Sequence, residues 1–313
     1  MATKPLTRHD CSKKTDSGES HMIKHGRESL VKIAGGKYVS KEPLPGRGLK
    51  QKREWLARQQ NAANMLNKLA EIGNDAYGVP HIKSIDSNRF RVIEERVSGV
   101  PLSPLLFRTL DDAARERVTD SLAQFYADIH SIDIIPNPVE YKMEYGLGGE
   151  YLENFIGADM NKYFPRADVK FVEKIYQNIA NFSYETRIVS VHGDLFEGNV
   201  LYDVKTQKFS VIDFTDAGTG FLHYDMLSSY ANDLGVADAV RTRYLKYRDA
   251  RDLPADFVDD ARWQKIVRYH KAAGLLEQMD ESVADFQYLG RDDKKKSVTR
   301  LKKQIEDLHK FER

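Results

Sequence analysis

Several absences narrow the possibilities for this chain before any motif is considered. A single cysteine, Cys11, excludes an internal disulfide framework and a cysteine-based metal cluster, and favours a reducing compartment. No run approaches the roughly 18 consecutive apolar residues that would span a bilayer. Neither charge sign is in excess: Lys+Arg number 48 against 47 Asp+Glu, a formal net charge of +1, so no global field draws nucleic acid or anionic lipid. Internal repeats and low-complexity blocks are also missing. Residues 1–21 are polar and lack the apolar core of a secretory signal. They read as a flexible leader or a vector-derived junction, with Met22 as the native start. These absences lead to the expectation of a cytoplasmic protein with neither nucleic acid nor membrane as partner, its oligomeric state left open.

What is present is ample for folding. With 313 residues, 41% apolar and 30% charged, the chain can build one or two well-packed lobes. From Ser29 to Lys41 apolar residues alternate on either side of Gly35-Gly36, which predicts a β-hairpin. Trp55, Gln59, Ala62, Ala63, Leu66 and Leu69 then recur at helical spacing, predicting a helix over 51–70. Two further strand-like pieces, HIKSID and RFRVIEERV, end at Ser98-Gly99. Beyond Pro104 the character becomes helical. Leu110, Ala113, Ala114, Val118, Leu122, Phe125 and Ile129 share one face of a helix that closes at His130. A glycine loop (Gly146, Gly148, Gly149), helices near 151–163 and 169–182, a strand pair around residue 200 and a helical remainder from Tyr224 complete the outline. The expected architecture is α+β and bilobal. Residues 22–98 form a small antiparallel sheet lobe with one helix, and residues 99–313 a larger, mainly helical lobe.

The densest chemistry lies in VHGDLFEGNVLYDVKTQKFSVIDF, residues 191–214. His192-Gly193-Asp194 ends one apolar strand, Asn199 follows Asp194 by five residues, and Asp213 closes another strand 19 residues after Asp194. Phosphoryl transfer needs little covalent help but much alignment and charge compensation. Asp194 can accept the proton of an attacking hydroxyl, while Asn199 and Asp213 offer hard oxygen ligands to Mg²⁺ bridging nucleotide phosphates. Taken singly, an Asp or Asn beside a strand is most often a turn former or helix cap. The joint spacing is what lifts these residues above that reading.

The pattern H-G-D, four residues, N, then a strand ending in I-D-F resembles the aminoglycoside phosphotransferase and choline kinase superfamily, relatives of protein kinases with the same two-lobed plan. The resemblance spans residues 23–290 and implies a Mg²⁺-dependent kinase with ATP or GTP as donor. It further implies a strand lysine paired with a glutamate on the next helix. Lys41 and Glu54 are the candidates, with Lys37 and Lys50 as competing lysines. Ser29 closes the turn His25–Ser29 that would cover the phosphates. The stretch VIEERVSGVPL resembles the family hinge, whose backbone at Glu94, Glu95 and Val97 would meet the nucleobase. His192 is expected to brace the loop, and Asp225, in HYDML, to support it through backbone hydrogen bonds.

Protein kinases usually carry Arg where this chain has Gly193, and place a peptide platform between D-F-G and A-P-E. Only residues 214–224 separate Asp213 from Asp225 here. The implied acceptor is therefore a small hydroxylated molecule: an aminoglycoside-like antibiotic, an amino alcohol, a sugar or a related metabolite. Acidic residues at Glu150, Glu153, Asp159, Glu277, Asp280, Glu281 and Asp285 would suit a cationic acceptor, although solvated helix faces show such clusters as a matter of course. A protein kinase-like or nucleotidyl-transferring effector on the same fold is the alternative, and a nucleotide-binding module without catalysis is a third reading.

Overall fold

The period-two alternation of the first hundred residues folds as an antiparallel sheet. The computed structural model describes residues 13–14, 20–21, 23–25, 29–34, 36–133, 160–183, 188–221, 225, 229–248, 251, 260–284 and 291–312. A two-residue ladder, β1 (Lys13–Lys14) with β2 (Ser20–His21), falls in the segment that reads as a leader. Then come β3 (Ile23–His25), β4 (Ser29–Ala34), β5 (Tyr38–Pro43), helix α1 (Leu49–Ile72), β6 (Ile82–Asp86) and β7 (Arg91–Glu95). The sheet runs β3-β4-β5-β7-β6, every neighbour antiparallel. The hairpin β4–β5 lies where the alternation predicts it, and α1 extends the expected helix by two residues at each end. Gly73, at φ +68°, ends α1 by donating its backbone N–H to the Leu69 carbonyl. Trp55 and Leu56 on α1 pack against Val92, with Ile82, Ile85 and Phe90 around them. Burial of each large side chain is worth roughly 1.5–3 kcal/mol, enough to hold α1 on the sheet.

A short strand β8 (Val100–Pro101) and helix α2 (Pro104–Thr109) follow, and neither is resolved by the sequence pattern. Ser103 caps α2, its hydroxyl accepting the Leu106 N–H, with Pro104 at the first helical position. Asp111 likewise caps α3 (Asp112–Ser131), a deeply buried helix on which Leu122, Phe125, Tyr126 and Ile129 are wholly inaccessible. After α4 (Arg166–Ser183) come β9 (Ile188–Val191), β10 (Val200–Asp203), β11 (Lys208–Val211) and β12 (Gly218–Phe221). Strands β10 and β11 form a hairpin to which β8 adds a third strand, while β9 pairs with β12. Helices α5 (Ser229–Asp233), α6 (Ala237–Arg248), α7 (Asp260–Ala284) and α8 (Arg291–Glu312) complete the described chain.

The chain divides into two compact units: residues 1–140, 189–220 and 224–253 in one, and 141–188, 221–223 and 254–313 in the other. The first unit has a core built on α3. In the second, Val172 and Ile175 of α4, Leu276 and Met279 of α7, and Leu301, Ile305 and Leu308 of α8 share one apolar cluster. With Val298 packed beside them, the last three make an apolar stripe that follows the charged run DDKKK. The class is thus α+β: a small antiparallel sheet lobe with one helix, and a mainly helical remainder. No helix of the described residues is long and apolar enough to cross a membrane.

Candidate active site

Hairpin register brings together the two halves of the sequence motif. Val200 pairs with Val211, and the Ile212 N–H donates to the Asn199 carbonyl at 2.9 Å, so Asn199 and Asp213 emerge at the same end of the hairpin. The Asn199 side-chain amide donates twice to Asp194, to its backbone carbonyl at 2.8 Å and to its carboxylate Oδ2 at 3.0 Å. Because the Asn199 nitrogen is engaged this way, its amide oxygen is the atom left to act as a ligand. Asn199 is buried, whereas Asp194 is exposed.

Upstream of Asp194 the loop is clamped. The carboxylate of Asp225 accepts the backbone N–H of His192 at 2.6 Å and that of Gly193 at 3.1 Å. Burial raises its pKa to about 6, against the opposing pull of those two hydrogen bonds. The His192 ring is enclosed between Phe214, with centroids 4.7 Å apart, and Phe125 at 6.3 Å. Nδ1 accepts the Asp194 N–H at 3.3 Å, and Nε2 donates to the Ile212 carbonyl at 3.1 Å. Both bonds suit a neutral ring protonated on Nε2, and burial lowers the His192 pKa to about 4. His192 thereby ties the Asp194 backbone to the residue before Asp213. Gly193 has φ +83°, and a Cβ there would collide with the backbone carbonyl of Asp216, so this position tolerates no side chain.

A buried charge cluster joins the sheet to this loop. Lys41 Nζ lies 3.1 Å from Glu94 Oε1 and 3.2 Å from Asp213 Oδ1. Burial alone would lower the Lys41 pKa, but the two carboxylates outweigh it and hold the ammonium above its ordinary value. Burial also raises Glu94, against the pull of Lys41. For Asp213, whose side chain is 45% exposed, burial acts upward, yet the Lys41 charge and the Thr215 hydroxyl keep it below the usual carboxylate range. Asp213 also adopts a left-handed backbone, φ +62° and ψ +68°, which costs a non-glycine residue of order 1 kcal/mol or more.

The structure revises the expected partner of Lys41. Glu54 has a side chain 42% exposed, with Lys50 3.9 Å away, and it does not reach Lys41. Glu54 immediately precedes Trp55, the centre of the buried stripe of α1, and one residue turns a helix by about 100°, which carries it off that stripe. Glu94, expected to serve through its backbone, presents its side chain to Lys41 because it shares the inward face of β7 with Val92. In the stretch expected to act as the hinge, the Glu95 N–H donates to the His81 carbonyl and the Arg96 N–H to the Lys37 carbonyl, both at 2.8 Å. Those two donors are satisfied within the protein, and a nucleobase would have to be met by other groups such as Val97. The Ser29 hydroxyl oxygen accepts the Trp55 indole N–H at 2.9 Å, tying β4 to α1. Lys37 and Lys50 take no part in the cluster.

Gly26–Glu28 of the turn expected to cover the phosphates, the glycine loop, and Glu150, Glu153, Asp159 and Asp285 lie outside the described residues, as do the side chains of Glu277, Asp280 and Glu281. Sequence reasoning assigns no chemical role to three residues that carry polar contacts here: Gln59, Thr215 and Asp216. Gln59 gives a usable signal, being a polar residue on an otherwise apolar helical stripe.

A lysine on β5, the central strand of an antiparallel sheet, facing a carboxylate that follows an H-G-D and Asn loop, defines a protein-kinase-like phosphotransferase fold. A profile of the phosphotransferase enzyme family, APH, matches residues 23–262, and the chain belongs to that family. The fold agrees with solved relatives of low sequence identity. The ADP-bound aminoglycoside phosphotransferase APH(2'')-Ib superposes with a TM-score of 0.64 at 18% identity, over 92% of this chain and 93% of that one. A streptomycin–ATP–APH(2'')-IIa ternary complex gives 0.59 at 19%, over 93% of each chain. A choline/ethanolamine kinase family protein from Mesorhizobium loti gives 0.59 at 14%, over 93% of this chain and 90% of that one. A search of curated proteins finds no match.

Proposed function

We propose that this chain transfers the γ-phosphate of ATP, or of GTP, to a hydroxyl of a small molecule. The observation that carries the reading is the Lys41 ammonium held between Glu94 and Asp213, beside a hairpin end where Asn199 orients Asp194. In this reading Lys41 binds donor phosphates and Glu94 fixes Lys41. Ser29 borders the phosphates, and the base is met by the backbone of Val97 and by groups around Glu94 and Glu95 other than the Glu95 N–H, which is already donated to His81. Asp194, exposed and steered by Asn199, accepts the acceptor's hydroxyl proton, while His192 and Asp225 hold the loop in shape.

The residues fit a Mg²⁺ ion. Among the described residues no group of three or more His, Cys, Asp or Glu could hold a metal alone. Magnesium, however, is usually held by one or two carboxylates with substrate phosphates and waters supplying the rest. Asn199 through its amide oxygen and Asp213 through the oxygen not bonded to Lys41 would hold it. Bound there, the ion would neutralise charge building on the phosphate oxygens.

The acceptor is read as small and hydroxylated, with cationic amino sugars and amino alcohols first among the candidates. Relatives solved with streptomycin or gentamicin support that class. Relatives solved with ATP, ADP or GDP support a purine nucleotide donor. We read the enzyme as cytoplasmic, where such donors are abundant. The test is a screen of aminoglycosides, amino alcohols and sugars with Mg·ATP and Mg·GTP, scored by mass spectrometry. Gain of a phosphate on a small acceptor is the expected result. Gain of a nucleotide would transfer the site to nucleotidyl chemistry, and tight Mg·ATP binding without any turnover would make the protein a nucleotide-binding module.

A further inference from the structure

Three polar residues of α1, Arg58, Gln59 and Asn61, reach the segment after Asp213, and two of them are almost fully buried, Gln59 at 2% and Asn61 at 6% exposure. Buried amides are costly unless satisfied. Each of these three residues meets one residue of the segment after Asp213. Gln59 Nε2 donates to Thr215 Oγ1 at 3.0 Å, Arg58 Nη1 lies 3.4 Å from Asp216 Oδ1, and Asn61 Nδ2 donates to the Ala217 carbonyl at 2.8 Å. Together the contacts cover 215, 216 and 217, so α1 holds three successive residues of that turn.

The Gln59–Thr215 contact has a direction. An amide NH₂ only donates, so the Thr215 oxygen accepts from Gln59, and its one proton is turned to Asp213 Oδ1, 2.7 Å away. The same Oδ1 faces Lys41 at 3.2 Å. One carboxylate oxygen is therefore fully occupied, and the other is fixed in orientation. The left-handed backbone of Asp213 requires such outside support.

From this we infer that Gln59 is a positioning residue. Through the Thr215 hydroxyl it sets the rotamer of Asp213, so that α1 acts on the metal-holding carboxylate by uncharged donors, while the lysine draws its glutamate from β7. The inference rests on the phosphotransferase reading of Asp213. It accounts for the near-complete burial of a glutamine on α1.

The experiment is isothermal titration of ADP at several Mg²⁺ concentrations, with thermal melting of each variant as a check on folding. Thr215→Val, which keeps shape and removes the hydroxyl, is expected to weaken Mg²⁺-dependent ADP binding by about 10-fold, and Gln59→Met by about 3-fold to 5-fold, while ADP binding without Mg²⁺ changes little. The double variant should be no weaker than Thr215→Val alone, because both act through one hydroxyl. Thr215→Ser should restore the parental Mg²⁺ dependence. Additive losses in the double variant, or equal losses with and without Mg²⁺, would overturn the inference and reduce Gln59 to a packing residue. If Gln59→Met fails to fold, the comparison of Thr215→Val with Thr215→Ser still decides: equal affinities overturn the relay. A parent protein that binds no ADP at any Mg²⁺ concentration would instead bring down the phosphotransferase reading itself.

Discussion

Replacing Glu94 by glutamine removes one negative charge from a buried cluster while preserving its shape. At an effective dielectric of about 20, the Lys41–Glu94 attraction at 3.1 Å is about 5 kcal/mol, and that of Lys41–Asp213 at 3.2 Å is about the same. Desolvation of the ions offsets much of this, and outright removal of one partner from a buried pair costs about 3–5 kcal/mol. The new side-chain amide would still offer Lys41 a carbonyl oxygen, and Asp213 would remain, so the expected loss is smaller, about 2 kcal/mol. For a chain of this size that lowers the melting temperature by about 3 °C. A loosened Lys41 should also weaken Mg·ADP binding by about 10-fold, the equivalent of about 1.4 kcal/mol. The control is Glu54→Gln. Its carboxylate faces a Lys50 side chain that is 91% exposed, and such surface pairs contribute at most about 1 kcal/mol, so neither melting nor ADP affinity should move appreciably. Calorimetry and titration of the two variants side by side decide the matter. If Glu54→Gln weakens ADP binding and Glu94→Gln does not, the helix glutamate is the functional partner and the sheet assignment is wrong.

Four further outcomes follow from the same geometry. Asp194→Ala should lower turnover by about 10²–10⁴-fold with Mg·ADP affinity retained, whereas Asp213→Ala should lose affinity as well; near-normal turnover in both would sink the assigned roles. Asp225→Asn turns an NH₂ toward one of the backbone N–H groups of His192 or Gly193, and should cost about 1–3 kcal/mol, visible in thermal melting together with a fall in kcat. Burial holds His130 neutral, lowering its pKa to about 3, below the ordinary histidine value near 6.5. From about pH 6.5 downward the unfolded chain therefore binds a proton that the folded one refuses, and stability falls as pH falls. His130→Asn should flatten that slope by up to one proton, about 1.4 kcal/mol per pH unit; parallel denaturation curves at pH 7, 6 and 5 would refute it. Gly193→Ala should reduce kcat by about 10²-fold, because the carbonyl of Asp216 must move to admit a methyl group and the loop moves with it.

How much of this is legible in the sequence varies with range. The H-G-D, Asn and Asp spacing, the hairpin around Gly35-Gly36, and α1 and α3 all follow from contacts between residues close in the chain, where periodicity and turn chemistry govern. The partner of Lys41 does not, since Glu54 and Glu94 are both plausible carboxylates and only packing chooses between them. A signal for the choice exists all the same: Glu94 alternates with Val92 on the buried face of β7, and Glu54 sits beside the buried stripe marked by Trp55. Gln59 falls on that stripe, but its polarity finds no meaning locally, because its partner, Thr215, lies 156 residues away. The strand β8 escapes for a related reason: two residues show no period, and Val100–Pro101 become a strand only by pairing with β10.

The fit of Gly193 under Asp216 bears on how such an enzyme can be governed. A kinase switched by phosphorylation needs a cationic side chain at that place, to answer a phosphate on a neighbouring loop. Here even a methyl group has no room, and the positive φ disfavours any side chain on its own account. Acquiring such a switch would require rebuilding two loops together, a step no single codon change supplies. On the phosphotransferase reading proposed above, activity would not wait on a phosphate answered from this position, and supply of donor and acceptor would weigh correspondingly more.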